Sequence, residues 1–136
     1  MKLSPSQKRT INGLLRKILV ARDGERCLKC GSTERLQMSH IYPKGKHRRM
    51  EFESDNLKFL CYPCHFFFWH KSPIEAWDWI RLKMPQDRLQ RLKLMSLASG
   101  PTGHQFATYK LFLEAELDRL EEKTKVNGIK AVRTYK

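Results

Sequence analysis

Cys27-Leu28-Lys29-Cys30 and, thirty residues further on, Cys61-Tyr62-Pro63-Cys64-His65 contain all four cysteines of the chain. Two Cys-x-x-Cys pairs have the spacing that lets four thiolates surround one tetrahedral Zn²⁺ ion, and no cysteine is left over. A four-thiolate zinc site is full, so Cys27, Cys30, Cys61 and Cys64 are expected to staple a small fold rather than to activate water. Any catalysis must then come from other groups, and two histidines stand out. His40 lies ten residues beyond the first pair, and His65 directly follows the second.

Around this centre the chain reads as α+β. Ser4-Pro5 opens a helix with an N-cap residue and Pro at the first helical position, Ile11, Leu14, Leu15, Ile18 and Leu19 follow at helical spacing, and Asp23-Gly24 closes it. Leu36 to Ile41 alternates as a short strand ending at His40. A basic loop, Tyr42 to Arg49, leads to Met50-Glu51-Phe52-Glu53, which alternates as a second strand would. Ser54 to Leu57 is expected as a turn, and Cys64 to His70 as the start of a helix packed on the hairpin. Of its four adjacent aromatics, Phe66 to Trp69, at least two are expected in the core, the alternative being stacking on bases. Ser72-Pro73-Ile74-Glu75 reads as a capping box opening a helix toward Met84. After Pro85, Leu89, Leu92, Leu94 and Leu97 mark another helix. Gly100-Pro101-Thr102-Gly103 reads as a linker. A last helix carries Phe106, Tyr109, Leu113, Leu117 and Leu120, ends at Asn127-Gly128, and leaves a basic tail at Lys130, Arg133 and Lys136. The expected organisation is an N-terminal basic helix (1–26), a zinc-bearing core (27–71), a helical extension (72–99) and a C-terminal helix (104–136).

With 27 Lys and Arg against 14 Asp and Glu, the 136-residue chain has a formal charge of +13. Such an excess points to a polyanionic partner, with DNA first. Lys44, Lys46, His47, Arg48 and Arg49, beside His40, are the expected phosphate contacts. No apolar run approaches the ~20 residues that span a bilayer, and no signal-peptide core follows the basic N-terminus, so the cytoplasm is the expected compartment. Histidine at neutral pH can take a proton from water attacking a phosphodiester, which makes His40 the candidate general base. His65 is the candidate ligand of a divalent ion, Mg²⁺ or another, that would stabilise charge on the phosphate. Asn56 can hold the loop backbone in place with its amide.

This order of residues resembles the His-Asn-His (HNH) endonucleases over about residues 27–70: His40-Ile41 resembles the family's base, Asn56-Leu57 its asparagine, and Cys61 to His65 its closing cysteine pair and metal histidine. The resemblance implies a ββα-metal core, a hairpin and a helix around one catalytic ion, flanked by an N-terminal helix and a helical C-terminal half. A weaker likeness, carried by Arg49-Met50-Glu51-Phe52, reaches phage recombination proteins of the NinG type, which would place the chain in a bacterial host's cytoplasm and suggest a branched DNA substrate. Ser39 departs from the family, many of whose members have Asp or His there as a metal ligand. A hydroxyl is a poorer ligand for Mg²⁺ than a carboxylate. Beside Ser39, the further candidates are His70, Glu51, Glu53 and Asp55, although His65 and His70 would lie on different faces of a regular helix. Two other readings stay open. One is a non-catalytic zinc module that binds nucleic acid; the other is an adapter whose last helix docks a protein, or a second copy to form a homodimer instead of a monomer.

Overall fold

The computed structural model describes residues 2–98 and 104–134, with side chains up to Lys125. The expected linker at Gly100–Gly103 and the side chains of the basic tail lie outside the described residues. The chain divides into two units, one formed by Met1–Gly24 with His104–Lys136 and the other by Glu25–Gly103.

In the first unit, α1 (Pro5–Asp23) starts as its sequence predicts. The Ser4 hydroxyl accepts from the Gln7 N–H, the Gln7 side chain accepts from the Ser4 N–H, and Pro5 occupies the first turn. At the other end Gly24 takes φ 83° and its N–H closes onto the Val20 carbonyl, a conformation that favours glycine. Ile11, Leu15, Ile18 and Leu19 are fully buried. α1 packs against α4 (Phe106–Thr134), whose Tyr109 and Leu113 are buried. Burying an aliphatic side chain contributes about 1.5–3 kcal/mol, so this paired stripe is what makes two otherwise polar helices stable together. α4 therefore has a partner for its apolar stripe within its own chain. It also continues past Asn127-Gly128, because a single glycine costs a long helix only about 1 kcal/mol and does not oblige it to stop.

The second unit is a two-stranded antiparallel sheet with helices packed on it, an α+β arrangement. β1 is Leu36–His40, as expected. β2, however, is Leu57–Cys61, not Met50–Glu53; Leu36 pairs with Cys61 and His40 with Leu57. Met50 instead ends a 3₁₀ turn (Arg48–Met50) and is fully buried, and a second 3₁₀ turn (Ser54–Asn56) delivers the chain to β2. All five residues of β2 are buried, so it lacks the alternation that marks a half-exposed strand. The helix after the second cysteine pair is a π-helix, Cys64–His70. α2 (Pro73–Lys83) and α3 (Gln86–Leu97) follow. The expected capping box at Ser72 is half built: Pro73 occupies the first turn, but the Ser72 side chain makes no cap hydrogen bond. On α3, Leu92 is fully buried and Leu89 packs on the core, while Leu94 and Leu97 face water. The core joins Ile41, Met50, Leu60, Trp69, Ala76, Ile80, Met84 and Leu92. Phe68, Trp77 and Trp79 pack against it, so Phe68 and Trp69 are the two core aromatics of the run, whereas Phe66 and Phe67 are exposed.

No helix among the described residues is long and apolar enough to cross a membrane.

Candidate metal centre and histidine cleft

The four cysteine sulfurs lie within 4.8 Å of one another. Cys30 and Cys61 are 3.6 Å apart, too far for a disulfide and close to the ~3.8 Å edge of a tetrahedron with Zn–S bonds of ~2.3 Å. The first pair sits on a tight turn: the Gly31 N–H donates to the Cys27 carbonyl, Gly31 takes φ 82°, and the Cys27 N–H returns to the Ser32 carbonyl. The Leu28 N–H then donates to the Phe59 carbonyl, tying this turn to β2, which carries Cys61 at its end. Burial opposes charge on Cys27, but N–H groups of Cys30, Cys61 and Lys29 outweigh it and bring its pKa down to about 6. Cys61 and Cys64 are pushed up, first by burial and then by neighbouring sulfurs. Four sulfur donors brought together at this spacing suit Zn²⁺.

A cleft of about 460 Å³ opens nearby, and its walls include His40, His65 and His70 together with Lys44, Trp69 and Trp77. Each histidine is oriented by a different device. His40, at the end of β1, donates from Nε2 to the Glu51 carbonyl at 2.9 Å, so its proton is on Nε2 and Nδ1 keeps a free lone pair. Burial, assisted by the charges of Lys44 and Lys58, lowers its pKa below the usual histidine value. Asn56 is fully buried and holds the intervening loop at both ends: its Oδ1 accepts from the Tyr42 N–H at 2.8 Å, and its Nδ2 donates to the carbonyls of Tyr42 and Met50. It thereby positions the segment whose Glu51 carbonyl orients His40. Arg88 of α3 fixes the Asn56 turn from outside, donating to the carbonyls of Asp55 and Leu57.

His65 and His70 meet because their helix is π-wound. Hydrogen bonding from i to i+5 brings residues five apart onto one face, where a regular helix would separate them. Their Nε2 atoms stand 2.9 Å apart. His65 donates from Nδ1 to Gln37 Oε1, which leaves its Nε2 lone pair facing His70. Burial, then the charges of His70, Lys58 and His40, brings the His65 pKa down to about 4, so its ring is neutral near pH 7. At the 2.9 Å between them, His70 Nε2–H donates a hydrogen bond to the His65 Nε2 lone pair.

Ser39 is not on the cleft wall. It is 1% exposed and paired across the sheet with Lys58, whose Nζ donates to Ser39 Oγ at 3.0 Å and lies 3.4 Å from the centre of the Trp69 ring. Burial lowers the Lys58 pKa well below that of a free lysine. Glu51, Glu53 and Asp55 do not line the cleft either, and Asp55 is engaged by Arg88 and Arg91. In the basic loop, Lys44 lies on the cleft wall, while Lys46, His47, Arg48 and Arg49 line a separate hollow of about 130 Å³ with Met95 and Ser96. Sequence reasoning missed Lys58, Gln37 and Arg88. Only Lys58 left a signal, as a charge inside the apolar run Leu57 to Cys61.

No protein-family model, curated protein or solved structure matches the chain.

Proposed function

We propose that the protein is a metal-dependent DNA endonuclease of the HNH kind, in which a zinc-stapled hairpin and the π-helix form a ββα-metal core. The observation that carries this reading is the convergence of His40, His65 and His70 on one cleft, with His40 Nδ1 and His65 Nε2 left unprotonated by their partners. His40 Nδ1 takes the proton from the attacking water, and its Nε2–H stays on the Glu51 carbonyl, which stabilises the imidazolium formed. Lys44, on the same wall, faces the phosphate oxygens as charge builds on them. Asn56 keeps the base aimed by fixing the loop that bears that carbonyl. His65 and His70 would hold a divalent ion, and such an ion neutralises charge on the scissile phosphate and leaving oxygen. Imidazole donors favour Mn²⁺ or another transition ion over Mg²⁺, which prefers oxygen. The loop Lys46 to Arg49 contacts phosphates rather than base edges, giving salt-sensitive binding with little sequence selection.

The rival reading, a zinc module that binds nucleic acid without cutting it, draws on Ser39: where a carboxylate ligand would stand, a hydroxyl is committed to Lys58. Plasmid and branched DNA incubated with Mn²⁺ or Mg²⁺ separate the two. Ion-dependent cleavage by the wild type, reduced about 10²- to 10⁴-fold in His40→Ala, is the expected result. Cleavage that survives His40→Ala removes His40 as base, and no cleavage with any ion favours the module.

A further inference from the structure

Three aromatic rings of the second unit face solvent side by side. Tyr62, Phe66 and Phe67 are 39%, 40% and 56% exposed. Tyr62 and Phe66 lie nearly parallel, with centroids 5.7 Å apart and planes 4° from each other, and Phe67 meets Phe66 edge-on at 5.1 Å. Cations flank this group. Lys71 Nζ is 4.8 Å from the Phe66 centroid and 5.5 Å from that of Phe67, and the Arg35 guanidinium is 5.6 Å from Tyr62. Leaving three adjacent rings in water is unfavourable, and a patch of this kind marks a contact surface.

What covers it must match flat π faces and positive charge together. An apolar protein helix would satisfy the rings and leave Arg35 and Lys71 against nothing of opposite sign. Duplex DNA would satisfy the cations, but its base faces are already stacked on one another. An unpaired strand offers both, with free base faces and a phosphate for each base, and the +13 charge of the chain favours it further. Phe66 and Phe67 follow His65, and Lys71 follows His70, so two of the three rings are carried by the same short helix as the histidine pair.

We infer that Tyr62, Phe66 and Phe67, with Arg35 and Lys71, form a stacking platform for unpaired nucleobases, and that the substrate is DNA with a single-stranded portion leading to the cleft. This rests on the nuclease reading for its purpose, but it can be tested apart from it. Fluorescence anisotropy on the full zinc-loaded chain, with no other divalent ion added, would compare labelled oligo(dT), an abasic oligomer of equal length and a duplex. The two single strands carry the same phosphates and differ only in bases. The wild type should bind oligo(dT) about tenfold or more tighter than the abasic strand. Phe67→Leu should reduce that preference and Phe66→Leu/Phe67→Leu should abolish it, with duplex affinity and zinc content unchanged, since leucine keeps apolar bulk without a ring. Equal wild-type affinity for the two single strands overturns the platform, as does a preference that persists in the double variant. A preference for bases without any cleavage supports the platform while the nuclease falls. Cleavage with no such preference does the reverse.

Discussion

The cysteine cluster and the histidine cleft share one seven-residue π-helix, on which Cys64 and His65 are neighbours, and they differ in how completely the protein closes them. At the cysteines, four donors converge, two of them almost fully buried, and an ion there would have no position left for water or substrate. At the histidines, two nitrogens meet on the wall of an open cleft. A full donor set holds a fold together, whereas a partial one leaves room for chemistry.

The largest effect that bears on this contrast is expected at the closed site. One tightly held zinc per chain should be found after purification, and Cys61→Ser should abolish cooperative melting of the 25–103 unit, because structural zinc contributes on the order of 10 kcal/mol or more to such folds. A melting curve unchanged by the substitution or by a chelator would show that the cluster is no staple. At the open site a smaller, different loss is expected. Gln37→Leu removes the acceptor that orients His65 and should raise the concentration of Mn²⁺ needed for half-maximal cleavage about 10- to 100-fold, without loss of zinc. If zinc is lost as well, the two sites are not separable in the way described. The smallest effect is in pH. Because burial lowers the His40 pKa, its free-base form already prevails at pH 7, so kcat/KM should change little from pH 8 to 7 and fall about tenfold per unit only well below 6.5. An acid limb centred above 6.5 would mean that another group is the base.

How far each site could be read from the chain follows the same division. The cysteine spacing is a local chemical pattern, and the structure brings all four sulfurs together as that pattern requires. His40 at a strand end and Asn56 in a turn were also legible, since alternation over Leu36 to Ile41 and the Ser-Asp-Asn turn are short-range signals. The second strand was not. Met50 to Glu53 alternates in sequence yet forms turns, because Met50 is drawn into the core and Asn56 ties up its carbonyl. Leu57 to Cys61, buried throughout and carrying a lysine, offers no periodicity to read. The meeting of His65 with His70 was hidden for a related reason. Spacing arguments assume 3.6 residues per turn, and a π-helix changes the rule by which neighbours are counted.

That helix has a thermodynamic consequence. Cys64 is its first residue and His70 its last, so an ion bound by the thiolates also orders the segment on which both imidazoles are mounted. Were His65 and His70 to hold an ion as proposed, the two equilibria would be linked: the factor by which the thiolate ion raised affinity at the imidazoles would be the factor by which the second ion raised affinity at the thiolates. On the proposed reading, a chain short of zinc would hold an ion at the imidazoles more weakly by that same factor.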